Sequence, residues 1–124
     1  MYRIKKHTLW GSATAGGTGL VSSAVPIKNL IGDAIGMYVV LAGTTPVVDI
    51  TLTVCDTENG TFLAPYDNAG TAIGSVASNL NATRWIQFTP VMAPWIKITV
   101  TPDGGSGDGG STTVKAYLIL QEDI

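Results

Sequence analysis

From Trp95 to Gln121 the chain reads WIKITV, then TPDGGSGDGGS, then TTVKAYLILQ. Two runs of alternating apolar and polar residues flank a stretch of Pro, Asp, Gly and Ser. In the first run Ile96, Ile98 and Val100 share one side, and Trp95, Lys97, Thr99 and Thr101 the other. In the second, Val114, Ala116, Leu118 and Leu120 share a face. A side-chain period of two specifies strands, and a Gly-rich gap between two such runs predicts a hairpin. This sets the class as all-β.

The same alternation recurs along the chain. Val48, Ile50, Leu52 and Val54 point inward from a strand over residues 47–55, with Asp49, Thr51, Thr53 and Cys55 outward. Residues 83–89, TRWIQFT, form another strand, and residues 20–27 a weak one that ends at Pro26. Residues 27–41 are ambiguous. Ile27, Leu30, Ile31, Ala34, Ile35 and Tyr38 fit a helical spacing, but Gly32 and Gly36 weaken a helix by up to about 1 kcal/mol each. The reading adopted is a turn, or one helical turn, near residues 28–33 and a strand from about Ala34 to Leu41. Asn59-Gly60 supplies turn chemistry. A short strand begins over residues 61–63, and residues 71–82 are small and polar, anchored by Ile73, Val76 and Leu80. Residues 121–124 close the chain as an acidic tail.

About eight strands follow one another at roughly 8–12-residue spacing, which predicts a single-domain antiparallel β-sandwich, jelly-roll-like. Residues 1–19 divide from it as a basic N-terminal strand or arm followed by a Gly/Ser/Thr loop, and residues 20–124 form the sandwich. An edge strand rich in Lys and Arg resists stray pairing. The alternative is an arm whose Arg3, Lys5 and Lys6 reach an acidic surface on a neighbouring subunit.

The chain has 124 residues, of which 13% are charged and 45% hydrophobic. Soluble domains average about 25% charged, so either a membrane or a partner is expected to cover extra apolar surface. The membrane reading fails on length, since the most apolar window, residues 34–48, carries Gly36, Gly43, Thr44, Thr45 and Pro46, and a spanning helix needs about 20 apolar residues. Arg3, Lys5 and Lys6 resemble the start of a secretory signal, but no apolar run follows them. The net charge of −2 argues against nucleic acid, which needs a basic field.

Chemical motifs are weak. Cys55 is the single cysteine, so no internal disulfide forms, and it lacks the basic neighbourhood of a reactive thiol. His7, the only histidine, lies in the terminal basic stretch, and no G-x-S-x-G elbow accompanies it. Gly105 to Gly110 matches G-x-G-x-x-G, but a strand follows where a helix is required. Asp103 and Asp108 could at most hold one cation weakly. Asp49, Asp56, Glu58 and Asp67 are the carboxylates available for acid–base work on a sugar, and nothing places two of them in a cleft. Asn59 and Asn81 head sequences of the glycosylation pattern, read as chance. The expectation is a protein that is not an enzyme and uses neither cofactor nor metal.

The aromatic residues carry more. Trp85 and Trp95 lie on strand faces that otherwise look polar. Tyr117 and Ile119 sit opposite the Val114–Leu120 face, and Tyr38 and Val40 opposite Met37, Val39 and Leu41. A two-sheet sandwich needs apolar residues on only one face of each sheet, and large exposed apolar patches are rare on monomers. The predicted interface is therefore Arg3, Lys5, Lys6, Tyr38, Trp85, Trp95, Tyr117 and Ile119. The alternative is a carbohydrate-binding module with Trp10, Trp85 and Trp95 as a stacking platform.

Over residues 47–122 the chain resembles small structural proteins of tailed-phage virions, in the segments NATRWIQFTP, APWIKITVTPDGG and STTVKAYLILQED and in a Thr-, Gly- and Val-rich composition. The resemblance implies a capsid decoration, cement or head-associated protein. It further implies a homo-oligomer, such as a trimer, that binds a viral capsid or other virion protein and resides in the virion after assembly in the host cytoplasm.

Overall fold

A computed structural model describes residues 2–14, 19–43, 46–102 and 112–123. Among them the strands are β1 (Tyr2–Thr14), β2 (Leu20–Val21), β3 (Val25–Pro26), β4 (Leu30–Ala42), β5 (Val48–Cys55), β6 (Ser75–Leu80), β7 (Arg84–Gln87), β8 (Trp95–Pro102) and β9 (Thr113–Asp123). They form two antiparallel sheets. The first has the order β1-β9-β4-β7, and the second β2-β8-β5-β6 with β3 also on β8.

β2 and β3 occupy one strand position. Leu20 and Val21 pair with Val100 and Thr99, and Val25 and Pro26 with Ile96 and Trp95 further along β8. Buried Ser22 bridges the interruption. Its N–H donates to the Ile98 carbonyl at 2.8 Å, and the Ile98 N–H donates to Ser22 Oγ at 2.9 Å. The result is eight strand positions in two sheets of four, interleaved so that only β5 and β6 are neighbours both in sequence and in a sheet. This is a jelly-roll sandwich.

The core lies between the sheets. Met37 and Val39 on β4 and Val114, Ala116, Leu118 and Leu120 on β9 line one side; Val48, Ile50 and Leu52 on β5 and Ile96, Ile98 and Val100 on β8 line the other. All are the inward residues of the alternating runs. Burying an aliphatic side chain contributes about 1.5–3 kcal/mol, so these strands are fixed in register by the face they must hide.

Four expectations are corrected. The runs flanking residues 103–111 do not form a hairpin, because β8 lies in the second sheet and β9 in the first. An alternating run reveals which face is buried but not which strand lies beside it, and a long connection can cross the roughly 10 Å between sheets. β4 starts at Leu30, not Ala34, and the turn is confined to residues 28–29. Between Leu30 and Ile35 it advances five residues while β9 retreats two, from Glu122 to Leu120. That bulge mimics a helical spacing in the sequence. β6 occupies part of the small polar segment, whereas residues 61–63 contribute only a single bridge, Leu63 to Val54. Finally, residues 121–123 are not a tail: they belong to β9, and Glu122 is only 6% exposed.

Candidate interaction surface

The outer face of the first sheet follows from register. Strands β7, β4, β9 and β1 run side by side, and Trp85, Tyr38, Tyr117 and Thr8 are direct cross-strand partners in one row. The Tyr38 and Trp85 rings lie 4.6 Å apart between centroids, tilted by 31°. Tyr38 and Tyr117 are stacked at 6.4 Å with ring planes 4° apart. Such pairs contribute about 0.5–1.5 kcal/mol beyond their area. The Lys6 ammonium sits 4.5 Å from the Tyr117 ring centre, and the Lys115 ammonium 5.7 Å from it. Both cations are thereby held over the aromatic row.

The next row is Gln87, Gly36, Ile119 and Lys6. Gly36 has no side chain to set between Gln87 and Ile119. A shallow groove of about 460 Å³ opens there, lined by Ile4, Gly36, Trp85, Gln87, Ile119 and Gln121. Trp85 is 71% exposed and Ile4 66%. The face thus combines uncovered aromatic and aliphatic surface with two lysines.

Five of the expected interface residues meet here: Lys6, Tyr38, Trp85, Tyr117 and Ile119. Arg3 and Lys5 are exposed on the same edge strand but alternate with Ile4 and Lys6, opposite Glu122 and Leu120 of β9. Trp95 lies in the other sheet, opposite Cys55 and Pro26, with the Lys28 ammonium 5.6 Å from its ring. Trp10 pairs with Ala116 on β1 and packs against the core. The three tryptophans therefore build no common platform. Ile4, Gly36, Gln87 and Lys115 belong to the face and were not singled out in the sequence. Lys115 was legible there, since it shares the parity of Tyr117 and Ile119.

A second uncovered apolar cluster lies on the connection between β5 and β6. Leu63 is 64% exposed and Tyr66 62%, and Ile73 is also exposed. Asp56, Glu58 and Asp67 are exposed on the same connection. Asp67 Oδ1 accepts from the Ala69 and Thr71 N–H groups at 2.9 Å each, which fixes the turn.

Of the residues considered for catalysis, Asp56 and Glu58 lie exposed on the β5–β6 connection, and the others are engaged or partly buried. Asp49 Oδ1 accepts the Asn79 N–H at 2.9 Å. His7 is half-buried, and its Nε2 is shut away with no hydrogen-bond partner. Burial holds His7 below the usual imidazole range; Glu122 pulls it up against that, and Lys5 lowers it further. Half-buried Cys55 ends β5 with its Sγ 3.6 Å from Asp56 Oδ1. Among the described residues no three His, Cys, Asp or Glu side chains gather to hold a metal; Asp103 and Asp108 lie outside those residues.

No family model matches the chain, and no curated protein matches it in sequence. Solved structures do match in fold. That of the infectious bursal disease virus Gx strain aligns with a TM-score of 0.55 at 15% identity, over 98% of this chain and 32% of that one. The VP2 subviral particle of infectious bursal disease virus aligns with a TM-score of 0.52 at 18% identity, over 98% and 33%. The SPBc2 prophage-derived protein YomS aligns over 96% of this chain and 95% of its own at 19% identity, with a TM-score of 0.49. The likeness is one of fold. This chain spans about a third of the length of the two virus chains.

Proposed function

We propose that this protein is a non-enzymatic virion structural protein, of the capsid decoration, cement or head-associated kind, that acts by burying surface against other copies and against a virion lattice. The observation that carries the reading is the outer face of the first sheet, where exposed Trp85 and half-buried Tyr38 and Tyr117 form an aromatic row. Uncovered aromatic surface of this kind marks interaction sites, and aromatic anchors dominate interface energetics. The fold shared with a subviral-particle protein supports the same reading. Its place is then the virion, after assembly in the host cytoplasm.

The test is light scattering on a sizing column, followed by co-sedimentation with phage heads from the source of the gene. The expected mass is a multiple of 12.9 kDa, and the expected pellet contains the protein. Trp85→Ala is expected to weaken association about tenfold or more while leaving the fold intact. A monomer that stays in the supernatant at every head concentration would refute the reading. The carbohydrate alternative now rests on Trp85 beside the Gly36 groove; a change in Trp fluorescence on a glycan panel would favour it.

A further inference from the structure

The two uncovered apolar clusters differ in charge. On the aromatic face of the first sheet the cations are Lys6 and Lys115, both held over the aromatic row itself. Arg3, Lys5 and Arg84 belong to the same sheet but pair with Glu122, Leu120 and Val39 and so alternate away from that face. The β5–β6 connection carries Asp56, Glu58 and Asp67 along with exposed Leu63 and Tyr66, and none of its residues 56–74 is basic. Lys97, next to it in the second sheet, is turned onto the Phe62 ring at 4.6 Å. The aromatic row therefore carries two cations, Lys6 and Lys115, whereas the exposed charges of the β5–β6 connection are all carboxylates.

We infer that the aromatic face of the first sheet receives the acidic β5–β6 connection of a second copy of this chain, so that copies join head to tail. The inference rests on the reading of the protein as a self-associating structural component. A face-to-face dimer through the aromatic row would gather Lys6 and Lys115 of both copies, four cations, into one interface, and like charges across an interface are disfavoured. Docking Asp56 and Glu58 against Lys6 and Lys115 puts opposite charges at the rim, while Leu63 and Tyr66 meet Trp85, Ile4 and the Gly36 groove. A head-to-tail contact leaves one patch of each kind free, which closes into a ring where the rotation allows and otherwise extends.

The experiment is charge reversal with light scattering and sedimentation of the full chain. K6E/K115E and D56K/E58K each alter only exposed side chains, and circular dichroism checks that both fold. Each pair alone is expected to raise the concentration needed for half-association by about tenfold or more, and the four changes in one chain are expected to restore it. Wild-type association that is untouched by D56K/E58K, or strengthened by K6E/K115E, overturns the inference and leaves self-association standing. A monomer that binds phage heads, loses that binding on Trp85→Ala and ignores D56K/E58K assigns the face to a foreign partner, and also overturns it. A monomer that binds no heads overturns both this inference and the functional reading beneath it.

Discussion

Gly36 and His7 show how single residues act in this fold. Gly36 makes a groove by lacking a side chain: a Cβ there would approach the Ile86 carbonyl oxygen at 3.2 Å. Its neighbours Tyr38 and Tyr117 were legible as outward residues, because parity along an alternating run fixes the face. The groove was not legible, because it depends on Gln87 and Ile119 being brought to either side by pairing. His7 illustrates a cost. Its ring is half-buried with Nε2 unpartnered, and burial is the main cause of its lowered pKa. The folded chain thus binds this proton more weakly than the unfolded chain does. The stability that comes from keeping His7 neutral is present above its unfolded value of 6.5. It is lost as the pH falls through the lower folded value. Urea midpoints are expected to drop between pH 7.5 and pH 5, and His7→Gln is expected to flatten that drop. A drop of the same size in His7→Gln would assign it to other groups.

At the scale of elements, strands with strong alternation were readable and their neighbours were not. The inward sets Val48, Ile50, Leu52 and Ile96, Ile98, Val100 are the buried ones. Yet β8 and β9, adjacent in sequence, sit in opposite sheets. β6 was missed because SVASNL holds one β-branched residue and its pairing with β5 is irregular, with Asn79 at φ 50°. Its position is secured by the Asp49 side chain instead. Ser22 does similar work at the break between β2 and β3, where a hydroxyl takes the place of a backbone acceptor for Ile98. Ser22→Ala leaves that buried N–H without an acceptor, which costs about 1–3 kcal/mol. The denaturation midpoint is expected to fall accordingly, and the Ile98 amide to exchange faster with deuterium than in the wild type. Unchanged exchange would show that the ladder closes without the hydroxyl.

For the whole molecule the open question is whether residues 1–19 are an appended arm or part of the sandwich. β1 pairs with β9 from Tyr2 opposite Asp123 to Thr14 opposite Thr113, with two register shifts between Thr8 and Ala13. Those shifts let Leu9 and Trp10 both pack against the core. An arm would be held by its own contacts and lost without consequence to the rest. An edge strand with an anchored Trp is different, since removing half-buried Trp10 forfeits part of the about 3–5 kcal/mol that a fully buried Trp contributes. Its removal also uncovers β9, a long apolar strand, as a new edge for stray pairing. The strand also contributes Ile4 and Lys6 to the aromatic face, so fold and interaction surface depend on it together. Deleting residues 1–14 is therefore expected to lower the unfolding free energy by several kcal/mol and to leave the protein prone to aggregation. Urea denaturation and light scattering would read both effects. A truncated chain of unchanged stability would make residues 1–14 an arm, and would move the interaction surface off β1 to Trp85, Tyr38 and Tyr117 alone.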